Sequence, residues 1–242
     1  MTKTVTEAIA YRRSTRVYLD TDIDSEKVKH CIYNATLAPT SSNLQLWEFY
    51  HVTDKDTLAQ LARACFKQNA AKTAKQLVIV VTGKDLWQKR AQANLSFLDQ
   101  VYSKPKLTDQ ELKRKKQATD YYSKIIPTIY IDFLGMLGYL KYFIFQIIGL
   151  FRPIYRQARA SDMRIVVHKS AALAAENFML SMAEIGYDTC PMEGSDTLRV
   201  KQIIGLPRGA EINMVIGCGI RTPEGIYGPR FRVPFESVYF NV

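Results

Sequence analysis

The 242-residue sequence predicts an α+β fold, a few strands set among more numerous helices. Three observations carry this expectation. Strand patterns occur at 47–52, 77–81 and 212–217, with helical periodicity filling most of the chain between them. No G-x-G-x-x-G follows the first two strands, and Gly83-Lys84-Asp85 is no phosphate loop, so a Rossmann or P-loop nucleotide site is not supported. A run of Pro, Thr, Ser and Asn at 39–43 separates a helical pattern from the first strand, and it can form neither.

Residues 4–12 read as a short helix that Thr4 can cap, with Glu7 three residues later. It runs into Arg12-Arg13-Ser14-Thr15-Arg16, three guanidiniums and two hydroxyls in five residues. Arginine's planar fork matches phosphate oxygens, so this density suits an anion. A solvated basic helix end, favoured by the helix dipole, is the alternative. A second helix is expected at 25–37, capped by Ser25 and apolar through Val28, Ile32, Ala35 and Leu37. Pro39 disfavours helix at Ala38. Thr40, Ser41, Ser42 and Asn43 then offer three hydroxyls and an amide. Such a set either bonds its own turn or holds an oxygen-rich ligand. Trp47 to Val52 reads as a strand by its aromatic and β-branched content.

Helix follows at 55–66. Leu77-Val78-Ile79-Val80-Val81 is a continuous apolar run, too short for a helix, and reads as a buried central strand. Residues 85–103 are helical, broken by Lys104-Pro105-Lys106. Leu107 to Ile126 forms another helix with Lys113-Arg114-Lys115-Lys116 on a solvated face, and Pro127 ends or kinks it. Ile129 to Phe151 reads as one amphipathic helix. At ~100° per residue, Asp132, Gly135, Gly138, Lys141, Gln146 and Gly149 share one half of the wheel. Phe133, Met136, Leu137, Leu140, Phe143, Ile144, Ile147, Ile148 and Phe151 fill the other. A membrane-spanning role is disfavoured, because Lys141 would sit mid-bilayer. Asp162 to Ile185 is a long core helix whose alanine pairs allow close packing, and Gly186 stops it. Tyr187 to Gly194 is expected to be a loop tipped by Cys190 to Gly194. A short helix at 197–204, the strand at 212–217 and an extended tail complete the chain.

The net charge of +10 and pI near 9.4 favour anionic partners. No nucleic-acid motif accompanies the charge, so nucleic acid is not expected. Four cysteines without a C-x-x-C pair and only three histidines argue against a metal site. The first residues lack the apolar core of a signal peptide, which makes a cytoplasmic location the expectation. No repeat or flexible linker divides the chain, so a single domain over 1–242 is expected, with a helical insertion at about 103–160.

Four stations in order resemble the FMN-dependent nitroreductase family. Arg12-Arg13-Ser14-Thr15-Arg16 looks like that family's opening motif. Pro39-Thr40-Ser41-Ser42-Asn43-Leu44-Gln45-Leu46-Trp47 looks like its Pro-Ser-Ser-x-Asn-x-Gln-Pro-Trp loop, with Leu46 where the family commonly has proline. Pro191-Met192-Glu193-Gly194 looks like its Pro-x-Glu-Gly turn, and Arg230-Phe231-Arg232 like its C-terminal basic pair. The resemblance covers residues 1–100 and 160–242. It implies that Arg12, Ser14, Arg230 and Arg232 hold the FMN phosphate, with Arg13 also among the cofactor-binding residues, and that Arg16 faces the N1/O2 edge of the flavin. Backbone around Glu193 and Gly194 would reach N5 and O4. Pro39, Thr40, Ser41, Asn43 and Gln45 would serve the flavin of the other subunit. Asn69 and Lys72 are loose candidates for a further polar contact.

The resemblance further implies a mainly antiparallel sheet flanked by helices in an intertwined homodimer, with Phe235 to Phe240 suited to a strand that crosses to the partner. The implied activity is ping-pong hydride transfer from NADH or NADPH through the flavin to an electron-poor small molecule, a nitroaromatic or quinone. No catalytic side chain is nominated, because flavin and water can supply the protons. A second expectation, less favoured, is a membrane-peripheral flavoprotein whose helix at 129–151 binds lipid or a partner protein. The favoured reading packs that helix on the dimer core.

Overall fold

The computed structural model describes residues 2–131 and 136–242. Helix α1 (Val5–Tyr11) begins where Thr4 Oγ1 accepts the Glu7 N–H at 3.4 Å and the Glu7 carboxylate accepts the Thr4 N–H at 2.7 Å. The sequence identified this reciprocal cap. Those bonds hold the Glu7 carboxyl below the usual carboxylate range. Helix α2 (Ser25–Thr36) is capped one residue earlier than expected: Asp24, not Ser25, accepts from the Glu26 and Lys27 N–H groups. Strand β1 (Trp47–Val52), α3 (Lys55–Ala64), a one-turn α4 (Asn69–Lys72) and β2 (Gln76–Thr82) follow. Then come α5 (Trp87–Val101), α6 (Asp109–Asp120), α7 (Ile126–Tyr130), α8 (Met136–Ile148) and α9 (Ala160–Glu184). Strand β3 (Asp188–Met192), α10 (Thr197–Ile203) and β4 (Glu211–Gly219) complete the set.

The described strands form one sheet in the order β1-β2-β4-β3, and every neighbouring pair is antiparallel. This is the α+β architecture expected. The apolar run of β2 is buried along its whole length because helices cover both faces of the sheet. Strand side chains alternate. Val78 and Val80 therefore pack with Val28, Cys31 and Ala35 of α2 and with Ala171, Ala174, Phe178 and Met182 of α9. Leu77, Ile79 and Val81 pack with Leu61 and Cys65 at the end of α3 and with Val200 of α10. The alanines of α9 let that helix lie close against α2 and the sheet.

Tyr187 to Gly194 is not the expected loop. Asp188 to Met192 pairs with Gly219 to Val215 as strand β3. Pro191 is tolerated there because β3 lies at the sheet edge, where a missing N–H costs no ladder bond on the inner side. Nor is Ile129 to Phe151 one helix. The backbone turns extended at Ile131, and α8 starts at Met136; the expected positions of Asp132, Phe133 and Gly135 lie outside the described residues. A π-helical turn at Tyr121–Ile125 joins α6 to α7 with helical backbone through Ile125 and Ile126, so Pro127 does not end the helical run; the run changes its hydrogen-bond period just ahead of the proline, which cannot donate an N–H. The Lys113–Lys116 face is solvated as expected, apart from an ion pair between Lys115 and Asp99 at 3.1 Å.

The excursion between α5 and α9 rests on a separate apolar cluster. Leu44 and Leu46 pack there with Ala91, Ile126, Tyr130, Met163 and Val167, and the Trp87 and Tyr130 rings stack at 6.0 Å. Helix α8 presents its small and polar half to the body. Gly138 is buried so tightly that a Cβ would stand 3.1 Å from the Ala160 nitrogen. The Arg159 guanidinium lies 4.8 Å from the Tyr142 ring, and Arg156 donates to Gln146 Oε1 at 2.7 Å. The apolar half of α8 faces outward and does not pack on the core of its own chain. The tail is also not a strand: Phe235–Ser237 makes a 3-10 turn, and the Phe235 ring stacks on Tyr239 at 4.9 Å.

Candidate functional site

Residues 12–19 run across the end of the sheet and are tied down on both sides. Ser14 bridges Thr189 of β3, and the Thr15 N–H donates to the Thr189 carbonyl at 3.1 Å. The Arg16 N–H donates to Gly225 O at 2.6 Å and the Leu19 N–H to Ile220 O at 2.8 Å. Beneath this segment Asp188 is almost fully buried and accepts from the Arg221 backbone N–H at 2.9 Å and its Nε at 2.6 Å. Burial works against the Arg221 charge, but the bonds to Asp188 outweigh it and raise the guanidinium above its ordinary value. Tyr11 lies between two cations, Arg221 at 4.1 Å and Lys3 at 4.2 Å from its ring. Burial first, then the Asp188 charge, raise its phenol. The C-terminal end of α1 is thus pinned to the sheet.

The pinned segment forms one wall of a cleft of about 460 Å³, within the 300–1,000 Å³ range of small-molecule sites. Arg12, Arg13, Ser14 and Arg16 line it from one side, Arg230 and Arg232 from another, and Gln68, Asn69 and Tyr227 from a third. Among the described residues no carboxylate lines it. The arginines are partly engaged. Arg230 Nη2 donates to the Ala10 carbonyl at 2.9 Å and the Arg12 carbonyl at 2.5 Å, capping α1. Arg13 Nη2 donates to Gly228 O at 2.9 Å, and Arg12 Nε lies 3.5 Å from a Glu176 carboxylate oxygen. Local burial, then the charges of Arg13, Arg232 and Arg12, lower the Arg230 guanidinium from its ordinary value. A doubly charged anion entering the cleft would relieve that repulsion and meet several charge-assisted donors at once. The donor set therefore fits a phosphate monoester.

Phe66 and Lys67 both adopt left-handed backbone, φ 56° and 53°, a costly turn for two successive side-chain-bearing residues. It delivers Gln68 and Asn69 to the cleft. Asn69 Nδ2 donates to the Tyr227 hydroxyl at 3.1 Å. Lys72, the companion candidate, faces a different cavity beside Lys75 and Asp20. Gln68 Nε2 donates to the Gly194 carbonyl at 2.7 Å, which brings the Glu193-Gly194 turn to the cleft rim. Pro191 and Met192 lie behind that turn within β3, and Met192 is buried. Gln68 and Tyr227 were missed from the sequence. Gln68 could have been found as the neighbour of Asn69; Tyr227 carries no local signal.

The 39–45 loop is elsewhere: none of Pro39, Thr40, Ser41, Asn43 or Gln45 lines the arginine cleft of its own chain. The loop is bound to the helical excursion instead. Ser42 Oγ and the Tyr121 hydroxyl are 2.7 Å apart, Asn43 Nδ2 donates to Asn94 Oδ1 at 2.9 Å, and the Tyr122 hydroxyl donates to Ser42 O at 3.1 Å. The Thr40 hydroxyl accepts the Gln45 N–H at 3.2 Å. Positive φ at Ser42, Asn43 and Gln45 gives the loop its shape. Pro39, Thr40 and Ser41 open instead onto a second hollow, of about 450 Å³, beside Lys169 and Ser170 of α9.

The chain is similar to known proteins over most of its length. The profile described as Nitroreductase family matches residues 9–220. MhqN of Bacillus subtilis, a candidate NAD(P)H nitroreductase, is 25% identical over 233 residues, covering 96% of both chains. A crystal structure of ydfN, a candidate nitroreductase from the same organism, aligns with TM-score 0.72 at 22% identity over 98% of each chain. A candidate nitroreductase of Exiguobacterium sibiricum, solved in complex with FMN, aligns over the whole of both chains with TM-score 0.67 at 22% identity.

Proposed function

Because the chain belongs to the nitroreductase family, we propose that it is an FMN-dependent oxidoreductase. It would pass reducing equivalents from NADH or NADPH to an electron-poor small molecule, a nitroaromatic or quinone, in ping-pong order. The observation that carries this reading is the convergence of Arg12, Arg13, Arg16, Arg230 and Arg232 on one cleft without a lining carboxylate among the described residues. FMN, when bound, would supply the two-electron redox chemistry. Arg12, Arg13, Ser14, Arg230 and Arg232 would hold its phosphate by charge-assisted bonds. Arg16 would set a fixed cation at the pyrimidine edge of the ring, where negative charge develops. Asn69 would add a polar contact, and Gln68, by gripping the Gly194 carbonyl, would fix the backbone around Glu193 and Gly194 for an approach to the ring. The absence of the 39–45 residues from this cleft agrees with their serving a second copy, as Pro39, Thr40, Ser41, Asn43 and Gln45 would in a homodimer. The NAD(P)H in the name of MhqN and the FMN in the Exiguobacterium sibiricum structure support the choice of donor and cofactor.

The test is selectivity for the phosphate. Flavin-free protein is titrated with FMN, riboflavin and FAD, and flavin released by heat from the purified protein is identified by chromatography. At roughly 1.5–3 kcal/mol for each charge-assisted bond, losing two bonds costs riboflavin at least about a hundredfold in affinity. Equal affinity for riboflavin and FMN, or FAD as the sole released species, would overturn the assignment.

A further inference from the structure

Helix α8 is oriented opposite to an ordinary surface helix. Its polar and small residues, Gly138, Lys141 and Gln146, face the protein, and Lys141 Nζ donates to the Ile131 carbonyl. Its outward stripe is apolar: Met136, Leu140, Phe143 and Ile147, continued past the helix end by Leu150 and Phe151, with Phe151 84% exposed. Exposed apolar stripes of this length mark contact surfaces. The stretch from Met136 to Arg159 contains no Asp or Glu and four basic residues, Lys141, Arg152, Arg156 and Arg159. Arg152, directly after the stripe, is exposed.

Charge and length select the occupant. The 13 residues of α8 rise about 20 Å, short of the roughly 30 Å hydrocarbon core, and no described helix is long and apolar enough to cross a membrane. The stripe therefore suits a surface that it can lie along. The segment carries basic residues and no carboxylate, and anionic headgroups bring the opposite sign. We propose that the outward face of α8 docks in the interfacial layer of an anionic lipid bilayer. Leu140, Phe143, Leu150 and Phe151 enter below the headgroups, and Arg152 sits at the level of the lipid phosphates. This inference is independent of the flavin assignment.

The full chain is co-sedimented with vesicles of phosphatidylcholine alone and of phosphatidylcholine mixed with phosphatidylglycerol. A triple variant, Leu140→Gln/Phe143→Gln/Leu150→Gln, changes only exposed positions, and its melting curve checks the fold. The expected result is binding to the mixed vesicles, weakened by roughly tenfold or more in the variant and weaker again on pure phosphatidylcholine. A separate Phe143→Trp variant should show blue-shifted indole emission on adding mixed vesicles. Failure of the wild type to sediment would overturn the proposal. So would equal binding by wild type and triple variant, which would mean adsorption by charge alone. A drop of the triple variant to a smaller assembly in lipid-free buffer would assign the stripe to contact between copies and would overturn it equally.

Discussion

Arg230 and Arg232 are two residues apart and do different work. Arg230 bonds the carbonyls that end α1, whereas the Arg232 bond recorded is to the adjacent Phe231 carbonyl. Arg232→Ala should therefore lower FMN affinity by about 1.5–3 kcal/mol and leave the melting temperature in place. Arg230→Ala should lower both. Flavin titration beside a thermal melt separates them, and full flavin retention by Arg232→Ala would move the phosphate elsewhere. The described cysteines are free and buried. Burial pushes the Cys31 thiol up to about 12 and Cys65 to about 11, from an ordinary 9.0. A folded value above the unfolded one means stability that is complete below pH 9 and lost as pH rises toward 11–12. Native protein should thus resist a thiol reagent at pH 8 and react fully in urea, with a melting temperature that falls only above about pH 9. The arginines of the site were legible because they cluster along the chain. The Asp188–Arg221 pair beneath them was not: 33 residues separate its members, and neither sits in a local pattern.

At the level of elements, hydropathy period and caps located nearly every helix and three strands, because those signals lie within a few residues of each other. Strand β3 escaped, since Asp188-Thr189-Cys190-Pro191-Met192 is short and holds a proline that only an edge position excuses. The break at Ile131 escaped for the opposite reason: the 3.6-residue apolar period continues through it. The outward turn of α8 was illegible too, because a helical wheel gives two halves without saying which is inside. Asp188 joins β3 to the segments on either side of the cleft. Asp188→Ala leaves the part-buried Arg221 charge unpaired and should cost about 3 kcal/mol in urea unfolding, the low end for a broken buried pair because Arg221 keeps some solvent. Adding Arg221→Met should recover part of that loss. Equal stability of the single variant and wild type would show that the pair only orients its neighbours.

For the whole molecule, the separation of the 39–45 loop from its own arginine cleft makes assembly testable. One variant carries Arg12→Ala with Arg232→Ala, the other Ser41→Trp at an exposed position. If the loop serves a second copy, each parent should bind little flavin. Mixed dimers, identified by different tags, should then regain up to about half the activity, since one of two symmetric sites escapes both changes. Mixed dimers without activity would return the loop to its own subunit. The crowded guanidiniums of the cleft have a consequence at this scale as well. With like charges facing one another and, among the described residues, no carboxylate in the cleft lining and only Glu176 beside Arg12, the empty chain is the less stable of two thermodynamic species. By mass action a ligand at a hundred times its dissociation constant adds about 2.7 kcal/mol to folding. Chains made while flavin phosphate is scarce should therefore be the ones a protease removes first, and limited proteolysis with and without added FMN would measure the difference.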